Sequence, residues 1–263
     1  MAVSIPYWIV LFCLLIGVSS VLAAAIYLLV PQSQRQHIQP HLISFAIGTL
    51  LGAAFLALLP HALELSGIQN FHRITATVLV GLLVFFLMEK MVLWRHCHHD
   101  HCEAHHARES VREHDGITSP LILFGSSVHN LIHGVLIAAA FLVDIDLGIV
   151  TSLAVLAHQV PQELSNFAVL LNAGRQRGQA LLLSITSSLT APVGGIIGYY
   201  GLAGMTTLMP YMLALAVSSC IYIAVADLLP GLHKRTHLHA TAQQILLILM
   251  GVGVIYISHQ LLH

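Results

Sequence analysis

The sequence is short of charge. Only 8% of its 263 residues are Asp, Glu, Lys or Arg, where a soluble domain carries about 25%. So few ionisable groups cannot clothe a soluble core, so the 57% of hydrophobic residues marks a chain whose solvent is lipid. The net charge of -1 says nothing about nucleic acid, and no nucleic-acid partner is expected. Cysteine is scarce too: Cys13, Cys97, Cys102 and Cys220 are too few and too scattered for a disulfide scaffold. The first 34 residues hold no charged side chain, which excludes the basic start of a cleaved signal peptide and leaves a retained span.

What is there instead is a series of apolar runs of about 20 residues, the length a helix needs to cross a hydrocarbon core of about 30 Å. Eight are expected, over residues 6–30, 41–64, 74–94, 119–143, 147–171, 179–200, 208–229 and 243–261. None has the alternation of a barrel strand, and backbone in lipid must satisfy itself internally, so the expected fold is an all-α integral membrane bundle. The 263 residues form one transmembrane domain, interrupted by one long loop at 95–116.

Lys and Arg gather on the cytoplasmic side of membrane proteins. With the N-terminus outside, inner loops and span ends hold Arg35, Lys90, Arg95, Arg108, Arg112, Arg175, Arg177, Lys234 and Arg235, while outer loops hold Arg73. Both termini then lie outside and the long loop is cytoplasmic. Spans two and seven end alike, in Ala57-Leu58-Leu59-Pro60 and Asp227-Leu228-Leu229-Pro230. They run in opposite directions in this topology, as an inverted repeat requires.

Chemistry concentrates in spans four and five. His129 and His133 are one helical turn apart, with Ser126 and Asn130 on the same stripe. In span five, His158, Gln162 and Asn166 form one row, with Gln159 and Glu163 beside it. Both stripes fall near the bilayer midplane, where polar groups are costly and face a partner or a pathway. Interhelical hydrogen bonding would need one or two such groups per helix. Three imidazoles beside oxygen donors are instead an ordinary donor set for a transition metal. Pro161 cannot bond the Ala157 carbonyl and so loosens the helix beside His158.

The loop carries His96, Cys97, His98, His99, Asp100, His101, Cys102, Glu103, His105 and His106, a density of ligands that reads as exchangeable metal capture. His61, after Pro60, is a candidate entrance ligand. Glu64, Asp144 and Asp146 are placed at the outer ends of spans, where they attract cations, and Glu89 and Asp227 at the inner ends.

These residues carry a resemblance. His129-Asn130-x-x-His133-Gly134 and His158-Gln159-x-Pro161-Gln162-Glu163 are similar to the His-Asn-x-x-Asp-Gly and His-Glu-x-Pro-His/Gln-Glu patterns of ZIP transporters, the Zrt- and Irt-like family, in its bacterial form. The span-seven ending Ala226-Asp227-Leu228-Leu229-Pro230 also looks like that family. The resemblance implies an inner-membrane protein moving Zn²⁺, Fe²⁺ or related ions (Cu²⁺, Ni²⁺, Co²⁺) into the cytoplasm, as a homodimer and without a catalytic cofactor. It makes His129, His133, His158 and Gln162 the first metal site, with Asn130, Gln159 and Glu163 lining an adjoining position. The sequence departs from the family where a carboxylate is usual at His133 and common at Gln159 and Asn166. Imidazole and amide supply only dipoles and lone pairs, so one bound ion rather than two is expected, with preference moved from Mn²⁺ toward Zn²⁺, Cu²⁺ or Ni²⁺. Two other functions fit a buried donor set: an intramembrane metallohydrolase, which the amide at Gln159 argues against because it cannot serve as a general base, and a membrane metal sensor working through the loop.

Overall fold

Long apolar runs with no outside partner for their backbone groups fold as helices, and the computed structural model describes residues 4–94, 118–172, 174–232 and 238–262 as eight long ones. Helix α1 is Ile5–Leu29. Helix α2 runs through Gln32–Gly52, Ala53–Leu58 and Leu59–Ser66. Then come α3 (Phe71–Trp94), α4 (Thr118–Val143) and α5 (Ile145–Asn172). Helix α6 consists of Arg177–Ser188 and Thr190–Leu202, hinged at Leu189. Helix α7 joins Met209–Tyr222, Ile223–Leu228 and Leu229–Leu232, and α8 is Leu238–Leu262. Among the described residues there is no strand.

Seven of these are long and apolar enough to cross a membrane by composition; α5 is the one that is not. The polar stripe from His158 to Asn166 lowers its hydropathy, yet its 28 residues reach about 42 Å, more than a hydrocarbon core needs. The helix tolerates that stripe because protein surrounds it: α1, α2, α4, α6 and α8 all pack against it. The bundle has two halves, α1, α4, α5 and α6 in one and α2, α3, α7 and α8 in the other, with α5 packing on α2 and α4 on α7 across the seam.

Glycines set the tightest contacts. A Cβ at Gly134 of α4 would strike the Ala191 carbonyl of α6, and one at Gly194 the Leu131 carbonyl, while Gly48 of α2 lies against the Ile248 carbonyl of α8 and Gly251 against that of Phe45. Such backbone approach is how helices associate where lipid gives no hydrophobic drive. Residue numbers rise together along α2 and α8, and likewise along α4 and α6, so each pair is parallel, whereas Gly17 of α1 meets Ser188 and Gly195 meets Ile9 and Cys13, an antiparallel match. Helices therefore alternate in direction, as an eight-crossing chain must.

The likeness between spans two and seven extends to the backbone. Each helix opens into a six-residue π segment, Ala53–Leu58 in α2 and Ile223–Leu228 in α7. In each, the residue before the proline reaches back five positions, Leu59 N–H to the Ala54 carbonyl and Leu229 N–H to that of Ala224. Pro60 and Pro230 lack an N–H, and the widened turn takes up the disturbance. Exchanging α1 with α6, α2 with α7, α3 with α8 and α4 with α5 also maps the α2–α8 contact onto α7–α3 and the α4–α6 contact onto α5–α1.

One residue connects α4 to α5. Asp144 Oδ1 accepts the Asp146 and Leu147 N–H groups at 2.8 and 3.2 Å, a side-chain cap on the first turn of α5. Asp144 thus has a structural task in addition to the outer charge assigned to it. From this tight turn, His133 is about 17 Å down one helix and His158 about 21 Å down the next at 1.5 Å per residue, so both rings reach the same depth.

Candidate metal site

Three imidazoles meet at that depth. His133 Nε2 is 2.9 Å from His129 Nε2 and 3.2 Å from His158 Nε2, and ligand atoms of all three lie within 4.8 Å of one another. His133 and His158 are buried, at 3% and 0% exposure, and His129 is half-buried. His158 Nδ1 donates to the Ala154 carbonyl at 3.1 Å. That bond leaves the Nε2 lone pair pointing at the other two rings, the outer-sphere arrangement that orients histidines on metals. With His158 so committed, the proton in its contact with His133 belongs to His133 Nε2. A cation seated among the three nitrogens would require that proton to move to His133 Nδ1, freeing the Nε2 lone pair.

The surrounding side chains divide into two kinds. Asn130 and Gln159 are joined: Gln159 Nε2 donates to Asn130 Oδ1 at 2.7 Å, and Asn130 Nδ2 donates to the Ser187 carbonyl at 3.0 Å. This chain of amides ties α5 to α4 and α4 to α6. Thr190 adds to it, its hydroxyl within 2.8 Å of the Ser127 carbonyl and 2.6 Å of that of Ser187. In contrast, Gln162 Oε1, Gln159 Oε1 and Glu163 Oε2 are buried oxygens with no hydrogen-bond partner among the described residues. Buried acceptors left open in this way are costly unless something occupies them, and all three follow His158 on α5 within five residues.

A cleft of about 370 Å³ leads from His129 and His133 to one end of the bundle. Gln162 and Asn166 of α5 line one wall, and Glu89 of α3 with Tyr222 and Asp227 of α7 line the other. The Tyr222 hydroxyl donates to the Glu89 carboxylate. The cleft mouth is on the face where α3 ends and α5 joins α6, the face of Lys90, Arg175 and Arg177. Toward the opposite face the rings are sealed by buried apolar groups, Leu136 and Ala140 of α4 and Val150 and Ala154 of α5.

Of the residues singled out in the sequence, the structure brings His129, His133 and His158 together, sets Gln162 and Asp227 in the adjoining cleft, and keeps Asn130, Gln159 and Glu163 buried within the bundle. His61 is elsewhere, paired with His259 of α8 at 5.6 Å between ring centroids. His96, Cys97, His98, His99, His101 and Cys102, with the rest of the 95–116 loop, lie outside the described residues. Two contributors escaped the sequence reading. Tyr222 gave no signal beyond an aromatic in an apolar run, since its partner Glu89 is on another helix, and His259 stood alone near the end of span eight.

Comparison with known proteins agrees with this geometry. The family model described as ZIP Zinc transporter matches residues 4–120 and 94–259. Zinc transporter ZIP13 of Pongo abelii is 31% identical over 231 residues, covering 81% of this chain and 64% of that protein, and its counterpart in Mus musculus is 30% identical over 248 residues, covering 81% and 68%. Zinc transporter ZIP4 of Homo sapiens is 39% identical over 114 residues, covering 43% of this chain and 18% of that protein. The match thus spans about two thirds of the length of the ZIP13 proteins. On the family match over nearly its whole described length, and on the relatives that share it, the chain belongs to the ZIP zinc transporter family.

Proposed function

We propose that this chain carries a divalent transition metal ion, Zn²⁺ foremost, across a bacterial inner membrane into the cytoplasm, and that the ion is held in transit by His129, His133 and His158. The observation that carries this reading is the convergence of one ring nitrogen from each of three histidines within 4.8 Å, deep in the bundle and open to one face through a cleft. Neutral imidazoles bind zinc, copper, nickel or cobalt far better than they bind hard, oxygen-seeking ions. Gln162 Oε1, an open oxygen of a residue lining the same cleft as His129 and His133, suits a fourth position.

The direction rests on charge. The cleft mouth is on the face rich in Lys and Arg, which the positive-inside rule makes cytoplasmic. An ion on the triad is then sealed from outside by Leu136, Ala140, Val150 and Ala154 and has a path inward past Asn166, Glu89 and Asp227. A single ion in the central site is favoured because the Asn130 Oδ1 oxygen of the adjoining position is already taken by the Gln159 Nε2–H, while Asn130 Nδ2 is committed to the Ser187 carbonyl. The working form is a homodimer by the resemblance drawn above. Membership in a transporter family identifies the chain as no enzyme.

The test is uptake of Zn²⁺, Ni²⁺, Co²⁺, Fe²⁺ and Mn²⁺ into proteoliposomes of known orientation. Zn²⁺ entering through the expected outer face in the wild type, and not in His133→Ala protein, supports the reading. Equal flux in both, or flux of Mn²⁺ above Zn²⁺, sinks it.

A further inference from the structure

Behind the apolar seal, on the face opposite the cleft mouth, a second pair of imidazoles bridges two helices. His61 is on the last two turns of α2 and His259 on the last turn of α8. Their ring centroids are 5.6 Å apart with the planes at 68°. The three ring pairs of the central site have centroid separations of 4.3, 4.8 and 5.9 Å, so this pair falls inside the range of a site already assembled for a cation. Two imidazoles on one tetrahedral zinc, with Zn–N of 2.0–2.1 Å, bring their centroids to about 5.2 Å, a few tenths of an ångström closer than they stand here.

The orientation of the rings repeats the central site as well. His61 Nδ1 donates to the Ala57 carbonyl one turn back at 3.0 Å, just as His158 Nδ1 donates to Ala154 at 3.1 Å. The bond sets the tautomer and presents Nε2 as the lone-pair nitrogen. His259 Nε2 is itself shielded from solvent. The two rings are held at one level because α2 and α8 pack in parallel through Gly48, Gly52 and Gly251. Neither ring can drift along its helix without breaking those backbone contacts. Glu64, one turn beyond His61 and exposed, gives the same face a negative charge that draws cations toward it.

We infer that His61 and His259 form a second, two-imidazole binding site for a single divalent transition metal ion, with water completing its coordination, on the face opposite the cleft. This rests on the transport reading above for its purpose: the pair captures an ion before it passes the apolar seal to the triad. It does not rest on that reading for its existence, which is a property of ion binding alone.

The experiment counts zinc bound per chain by equilibrium dialysis of the purified full-length protein in detergent, where no flux occurs. His61→Ala, His259→Ala and the double variant are compared with wild type, so ions held elsewhere cancel in the difference. Each single variant loses one zinc per chain, and the double variant loses no more than either single, because a two-ligand site vanishes with its first ligand. Unchanged stoichiometry in both single variants overturns the inference, and so does a double variant that loses more than a single one. If an alanine variant does not fold, His61→Cys with His259→Cys decides: cadmium binding with the ultraviolet charge-transfer band of a Cd–thiolate pair supports the site, and absence of that band overturns it. Failure of uptake in proteoliposomes, by contrast, bears only on the transport reading and leaves this count unaffected.

Discussion

His158→Ala is the most direct perturbation of the triad, because His158 is the ring whose tautomer the fold fixes, through Ala154, and the one from the other helix. Structural zinc sites with four ligands release about 10–16 kcal/mol on binding, or about 3 kcal/mol per ligand. Losing one imidazole therefore weakens zinc by about 150-fold, since 1.4 kcal/mol is a factor of ten. The assay is the zinc-induced rise in thermal stability of the purified protein. At a zinc concentration of about 100 times the wild-type Kd, binding stabilises the native state by about 2.7 kcal/mol, and a 150-fold weaker site at that concentration gives about 0.3 kcal/mol. The part of the zinc-dependent shift in Tm that survives in a His61→Ala background thus nearly disappears in His158→Ala/His61→Ala protein, while the zinc-free Tm falls by the ordinary cost of emptying a buried site. A Tm rise with zinc in the double variant equal to that of His61→Ala protein would refute the claim that His158 shares an ion with His129 and His133.

Three further predictions follow from the packing and the cleft. Gly134→Ala drives a Cβ into the Ala191 carbonyl, whereas Gly125→Ala meets open space; the first lowers stability by about 1–3 kcal/mol and the second leaves it within about 0.5 kcal/mol, as thermal melts will check. Gln159→Glu removes the hydrogen bond that Asn130 Oδ1 accepts and adds a buried carboxylate on α5; bound zinc rises by up to one ion per chain over wild type and Mn²⁺ uptake rises relative to Zn²⁺, both measurable by metal analysis and flux. Asp227→Asn removes a carboxylate from the cleft wall; zinc affinity measured in detergent stays at the wild-type value while the maximal flux falls, separating release from binding.

The sequence revealed the spans because lipid demands long apolar runs, and it revealed the His129, His133 and His158 set because helical spacing stacks side chains three and four apart. It even revealed α5, read at 147–171 as one of the apolar runs, although its hydropathy is too low to mark it as the other seven are marked. What it hid depends on which helix meets which. Nothing in the order of residues says that α3 packs on α7, so Tyr222 bonding Glu89 was beyond reach, as was His61 finding His259. The engagement of Asn130 with Gln159 was hidden for the same reason: both types are metal ligands as readily as hydrogen-bond partners, and only their 2.7 Å separation and the Ser187 carbonyl decide between the roles. The matching prolines at 60 and 230 were legible, and the π segments before them were not, because a missing N–H can equally produce a kink.

Charge balance leads to the last prediction. The triad is neutral and the amides around it are neutral, so the buried countercharge available to a dication on α5 is Glu163, five positions beyond His158 and with 2% of its surface exposed. In a medium of low polarity an ion without countercharge is held poorly, whatever its coordination geometry. Glu163 therefore retains the ion by charge even where an imidazole nitrogen makes the bond, and the remaining positive charge faces the Glu89 and Asp227 carboxylates across the cleft. Glu163→Gln keeps the shape of the side chain and removes the charge. Zinc affinity should fall at least about tenfold, or 1.4 kcal/mol, and Gln162→Glu in the same protein should restore it by returning a carboxylate one residue away. Affinity that is unchanged in Glu163→Gln, or lost and not recovered by the second substitution, would mean that geometry alone retains the ion.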